Sequence, residues 1–318
     1  MPVLKTALPL LLTLALTAAG QTPKSIPDDP IDAARRALDA HPDDNAARMN
    51  LALAYYKKGD LTHARQQAET VHQAEPHDIP AAVLLSYIYV KMDRESEVVE
   101  LLTPLEAGQQ GNNEFEYSLG FSLIQTGKVK EGAARMEKVA QATHSANAYM
   151  IAGSALLQRG NATPARIDLE AAAKLDASIP GLSTLRGQAA YAQQDMEAAA
   201  TAFHAALREN PRDFDANLDL GAIRLKAHDY DTARPLLELA LEVQPNAPMA
   251  RMEMAKLDEV TGKYADAAGY LEALVKAEPD WLDAHWELAN VYYALERPVD
   301  AKRERAISQD LKLRQQKP

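Results

Sequence analysis

Residues 45–78 read NAARMNLALAYYKKGDLTHARQQAETVHQAEPHD, and the fold follows from this stretch. At its centre Gly59-Asp60 ends one helix and begins another: glycine takes the left-handed C-terminal conformation, and Asp60 accepts from the orphan amides of the next turn. Pro76 stops the second helix, because a proline ring cannot continue the ladder. Proline recurs at Pro42, Pro76, Pro211, Pro245 and Pro279, at intervals of 34 residues or, from Pro76 to Pro211, almost four times that. Two columns of small residues share the period. Ala52, Gly120, Gly153, Gly187, Gly221, Ala255 and Ala289 form one, and Ala64, Ala165, Ala199, Ala233, Ala267 and Ala301 the other. Small side chains at fixed offsets mark close helix–helix crossings, and a chain that repeats in this way stacks. Alternating strand patterns are absent, so no sheet is expected.

These columns resemble the tetratricopeptide repeat family. Leu51, Ala52 and Tyr55 supply its first-helix pattern, as do Leu288, Ala289 and Tyr292. Ala199, Phe203, Ala206 and Pro211 supply the second-helix pattern, as do Ala233, Leu237, Ala240 and Pro245. With Asn45 as a first position the chain divides into units 45–78, 79–112, 113–145, 146–179, 180–213, 214–247, 248–281 and 282–313. The resemblance implies an all-α fold: an α-solenoid, a right-handed superhelix of about eight helix-turn-helix repeats, capped by a helix at each end. In the second to fourth units Val98 and Gly132 take the alanine position, no proline closes the second helix, and Gly108 and Gly111 flank a loop. A looser segment is expected there.

The ends carry separate messages. Residues 1–20 hold Lys5, the apolar run TALPLLLTLALTAAG and small residues after it, the layout of an export signal peptide cut near Ala19 or Gly20. The run is shorter than a bilayer span, with an uncleaved N-terminal membrane anchor as the alternative. The expected location is therefore periplasmic or secreted. Residues 21–29 read as a linker, 30–41 as an N-terminal capping helix and 314–318 as a tail. From Ala301 to Gln316 the sequence is far more polar than the internal second helices, which suits a terminal cap with a wet face.

Composition narrows the function. A net charge of −11 argues against a nucleic-acid partner, since phosphate backbones are held mostly by lysine and arginine clusters. With no cysteine, disulfides, a lipidated cysteine and thiolate metal sites are excluded. No phosphate loop, His-Glu-x-x-His pair or nucleophile elbow occurs, so no catalytic residue, metal or cofactor is assigned and the chain is read as non-enzymatic. His72 and His77 flank Glu75, but Pro76 breaks the helix that would aim both rings at one ion.

Function then rests on a surface. In the family resembled, first helices line a concave groove that takes a protein or peptide. Carried onto this sequence, the early units place Met49, Leu53, Tyr56, Val83, Tyr87, Val90, Tyr117, Phe121, Ile124, Met150, Leu157 and Tyr191 there, an apolar, aromatic trough. The later units place Asp215, Asp219, Glu253, Lys256, Glu259, Asp283, Trp286, Glu287, Asn290 and Tyr293 there, an acidic stretch with aromatic anchors. The family's carboxylate clamp is not reproduced: Asn50 and Lys57 meet Leu84, Tyr87 and Lys91 in the next unit. The expected role is a scaffold or adaptor of the cell envelope whose partner carries basic and apolar residues, with a membrane-proximal complex as one setting. A targeting arm for a separate enzyme, such as a glycosyl transferase, and a self-associating structural protein are the alternatives.

Overall fold

The computed structural model describes residues 29–316, which form α-helices and one short 3-10 turn, with no strand among them. The apolar segment 1–20 and nearly all of the linker lie outside the described residues. The helices are α1 Pro30–Ala40, α2 Asn45–Lys58, α3 Leu61–Ala74, α4 Ile79–Lys91, α5 Glu95–Leu102, α6 Asn113–Gln125, α7 Val129–Thr143, α8 Ala146–Gln158, α9 Ala162–Leu175, α10 Leu182–Ala192, α11 Met196–Glu209, α12 Phe214–Lys226, α13 Tyr230–Val243, α14 Pro248–Val260, α15 Tyr264–Ala277, α16 Leu282–Ala294 and α17 Pro298–Gln315. They group into two compact units that divide between Ile179 and Pro180.

Local chemistry sets the boundaries. Asp44, Asp60, Asp78, Asn112, Ser145, Asp195, Asp213 and Asp229 each accept from an amide of the helix that follows, satisfying donors that would otherwise be orphaned. Asp29, read as linker, is the N-cap of α1 and pairs with Lys58. The turn inside each hairpin carries one left-handed residue. Gly59, Gly127, Gly160 and Gly262 occupy it in some repeats, and Asp93, Gln194, His228 and Glu296 in others. α10 starts at Leu182 because Gly181, at φ 80°, turns the chain first. α5 is short and runs into a 3-10 turn at Thr103–Leu105, and Gly108 and Gly111 beyond it also have positive φ.

Close crossings hold each hairpin together. Ala64, Ala165, Ala199, Ala233, Ala267 and Ala301 have no exposed surface. A Cβ on Gly187 would lie 2.5 Å from the Phe203 ring, and one on Gly221 2.7 Å from Leu237. The missing methyl thus makes room for the bulky residue of the second helix, and burying a side chain of that size contributes about 1.5–3 kcal/mol. In the α6–α7 hairpin both partners are glycine, and a Cβ on Gly132 would stand 2.5 Å from the Gly120 carbonyl oxygen.

Polar contacts repeat as well. The fourth residue of a first helix often satisfies the carbonyl of the proline six residues before it: Arg48 donates to Pro42 O, Asn217 to Pro211 O, Arg251 to Pro245 O, and His285 Nε2 faces Pro279 O at 2.9 Å. The tyrosines Tyr89 and Tyr292 donate to Glu69 and Glu272 of the preceding second helix, at 2.9 and 2.8 Å. Arg94 and Arg297 lie over the same two rings. Tyr55 accepts from Arg35 of α1 at the same spacing of 20 residues, so α1 stands in the register of a second helix. At the other end α17 packs on α16 and buries Ser308 where internal repeats bury Ala172, Ala206, Ala240 and Leu274, and it buries the polar Glu304 as well. The residues 314 and 315, read as tail, continue α17.

Candidate functional site

Within the N-terminal unit α2 touches α4, α4 touches α6 and α6 touches α8; in the C-terminal unit α10 touches α12, α12 touches α14 and α14 touches α16. First helices therefore form a continuous wall in each unit, and the two walls differ in chemistry.

The N-terminal wall is apolar but largely interior. Tyr56, Val83, Tyr87, Val90, Tyr117, Phe121 and Met150 are buried, and Met49, Leu53, Ile124 and Leu157 are half-buried against the same core. The exposed aromatic trough expected from the sequence is thus taken up by packing. α4 shows why: every residue from Ala81 to Val90 is buried, and only Ser86 among them is polar without an aromatic ring. A helix apolar on all sides is a core helix, and that signal stood in the sequence. Burial pushes the phenols of Tyr56, Tyr87 and Tyr117 up, and Glu114, Tyr117 and Tyr56 add to the effect on Tyr87. These phenols stay neutral throughout the ordinary pH range.

The C-terminal wall is acidic and accessible. Asp219 on α12 lies beside Asp215, with Gln188 of α10 as its hydrogen-bond partner and Asp213 and Glu253 nearby. Burial first, then the Asp215 charge, push its carboxyl up to about 7. Asp215 keeps contact with solvent, yet surrounding protein and then Asp213 push its carboxyl up too. Half-buried Tyr191 faces Asp219 and Glu253, and its phenol is raised by burial and by both charges. Glu259 is raised by burial and by Glu287. Carboxylates thus crowd one another along α12, α14 and α16. Against them on this wall stands Lys256, bonded to Glu253 at 2.8 Å.

Aromatic side chains close this wall at α16. Trp286 is 42% exposed and Tyr293 44%, while Asn290 is half-buried between them in sequence. The Arg305 guanidinium of α17 stacks 4.0 Å from the Trp286 ring and 5.9 Å from that of Tyr293, and it donates to Asn290 Oδ1 at 3.0 Å. Arg305, read from the sequence as part of a polar cap, is therefore a member of this surface. Its long polar side chain holds the rings in place by stacking.

Among the described residues no group of three or more histidine, cysteine, aspartate or glutamate side chains could hold a metal ion. No described helix is long and apolar enough to cross a membrane. His285 is committed to structure: its Nδ1 faces Glu304 Oε2 at 2.7 Å and its Nε2 the Pro279 carbonyl at 2.9 Å, so both ring nitrogens are engaged within the fold.

A tetratricopeptide repeat model matches residues 27–78, 184–250 and 252–302. The chain belongs to the tetratricopeptide repeat family. Proteins of this family generally mediate protein–protein contacts, and the fold generally serves binding rather than catalysis. The human Superkiller complex protein 3 is 29% identical over 98 residues, which are 31% of this chain and 6% of that protein, so the likeness is to a small part of it. Among solved structures, the APC/C hetero-tetramer Cut9-Hcn1 aligns at TM-score 0.57 and 16% identity over 82% of this chain and 52% of that one. PilF of Pseudomonas aeruginosa aligns at 0.55 and 17% over 71% and 99%. A tetratricopeptide repeat protein of Parabacteroides merdae aligns at 0.54 and 13% over 78% and 98%. At these identities the likeness is one of fold.

Proposed function

We propose that this chain is a non-enzymatic scaffold of the cell envelope that takes up an extended or helical segment of a protein partner, and that its C-terminal wall is the docking surface. The observation that carries this reading is the run of carboxylates Asp215, Asp219, Glu253, Glu259 and Glu287 ending at the exposed rings of Trp286 and Tyr293. Crowded like charges cost free energy in the empty protein, and a partner's lysine or arginine side chains remove that cost. The rings supply the area and stiffness of a hot spot, and they pair with the apolar residues of the same partner. Export to the envelope is supported by the charged start, apolar run and small residues of segment 1–20. The N-terminal unit, with its wall packed away, serves as the rigid stem.

Capture from the envelope fraction of the host tests this. The full chain from Gln21 onward is compared with a variant carrying Asp219→Asn, Trp286→Ala and Tyr293→Ala. The proposal expects a partner that the wild type retains and the variant loses while its helical content stays unchanged. Equal recovery of the same proteins by both chains contradicts it.

A further inference from the structure

One junction between repeats is inverted in charge. Where a second helix meets the next first helix, Glu69 accepts from Tyr89 and Glu272 from Tyr292, with Arg94 and Arg297 over the rings. The matching place on α7, α9 and α13 is also glutamate, at Glu137, Glu170 and Glu238. On α11 it is His204, and twenty residues on, where the other two junctions have tyrosine, stands Arg224 of α12. Arg224 Nη2 donates to His204 Nε2 at 3.1 Å, and Asp229 takes the position of Arg94 and Arg297. Two bases thus meet where those junctions put an acid and a phenol.

The nearby acids leave this positive charge largely unpaired. Asp229 Oδ2 is 3.9 Å from Arg224 Nη1, beyond hydrogen-bonding distance, and Arg224 Nε is buried with no hydrogen-bond partner among the described residues. Arg208, one turn beyond His204, is exposed and has no ion pair among the described residues, while its neighbour Glu209 accepts from Ser183. Thr201, His204, Leu207 and Arg208 share one face of α11 and line an open groove of about 550 Å³. Surrounding protein first, then the Arg224 and Arg208 charges, hold the His204 imidazole below its ordinary range, so both guanidinium groups act on this ring. With Nε2 accepting from Arg224, Nδ1 carries the hydrogen that the neutral ring can donate.

We propose that His204, Arg208 and Arg224, with the Thr201 hydroxyl, form a binding site for a phosphate monoester on the outer face of α11. Hydroxyl, imidazole and guanidinium donors stand here on successive turns of α11 and on α12. A carboxylate offers two oxygens in one plane and is satisfied by a single guanidinium fork, whereas a phosphate presents three oxygens to several donors at once. The groove leaves room for the organic part of the ester, with Leu207 as its apolar wall. A dianion beside these bases removes the cost of crowding them, and it favours a second proton on His204. The site uses none of the carboxylates of the acidic wall, so it stands or falls apart from docking there.

The test uses the full chain at constant ionic strength. Imidazole NMR follows the His204 titration with glycerol 3-phosphate and with acetate, in the wild type and in Arg208→Gln, whose exposed position leaves the packing intact. A second arm measures sedimentation with phosphatidylcholine vesicles that contain phosphatidic acid, a lipid with the same monoester headgroup. Glycerol 3-phosphate should raise the His204 titration by about one unit while acetate leaves it in place. Arg208→Gln should weaken phosphate binding by about tenfold or more. Vesicle binding that Arg208→Gln abolishes, with no response to the soluble ester, supports the site and places the phosphate on a lipid. No response in either arm overturns the proposal, as does an equal rise with acetate or a response that Arg208→Gln leaves unchanged.

Discussion

Gly132 offers a sharp test of how the hairpins are held. A Cβ there would lie 2.5 Å from the Gly120 carbonyl oxygen, 2.8 Å from the Ile124 amide nitrogen and 2.8 Å from Ile124 Cγ1. Two of these neighbours are backbone, so relief requires α6 and α7 to separate by roughly half an ångström or more, and overpacking of this kind costs about 1–3 kcal/mol. Alanine in place of glycine in a helix returns about 1 kcal/mol of that. Taking the overpacking cost at its midpoint, Gly132→Ala should therefore destabilise the N-terminal unit by about 1 kcal/mol. Gly269 in α15 is the control: its Cβ would meet nothing within 4 Å, so Gly269→Ala should stabilise the C-terminal unit by about 0.5–1 kcal/mol. Both tryptophans, Trp281 and Trp286, lie in the C-terminal unit, so their fluorescence during urea unfolding reads the control. Hydrogen exchange in α6 and α7 reads Gly132→Ala. Protection there that is unchanged or raised would refute the close-crossing account.

Three further outcomes are expected. His285→Ala leaves buried Glu304 with Arg303 alone and Pro279 O without a donor, and should cost about 1–3 kcal/mol in urea unfolding followed by tryptophan fluorescence; a loss under 1 kcal/mol would show that water replaces the imidazole. Gln194 sits at φ 62°, a conformation costly for side chains, so Gln194→Gly should raise the unfolding midpoint by the equivalent of about 1 kcal/mol, measured by circular dichroism. A basic peptide should bind more tightly at pH 8 than at pH 6, because Asp219 gains its charge as pH passes about 7, and calorimetry should show this dependence abolished in Asp219→Asn.

The helical repeat was legible in the sequence because it rests on residues with few substitutes: proline where a helix must stop and alanine or glycine where backbones meet. The column of acids was legible too, since Asp219, Glu253 and Glu287 stand at the sixth position of successive first helices. What resisted was the depth of a side chain. Tyr87 and Phe121 stand at positions that face a groove in the family pattern, yet in α4 and α6 the opposite side is equally apolar and the whole helix is drawn inside. Contacts between distant positions were also hidden. The partner six residues after Pro42, Pro211 and Pro279 changes from Arg48 to Asn217 to His285, and only the shared carbonyl reveals it as one device.

The most direct measurement of the central claim is chemical-shift mapping of the labelled full chain with a twelve-residue peptide of alternating lysine and leucine, against a control with glutamate for lysine. The account predicts shifts confined to α12, α14 and α16, strongest at Asp219, Glu253 and the Trp286 indole, lost with the control peptide and weakened by salt. Shifts spread over the second helices, or equal shifts with both peptides, would contradict it.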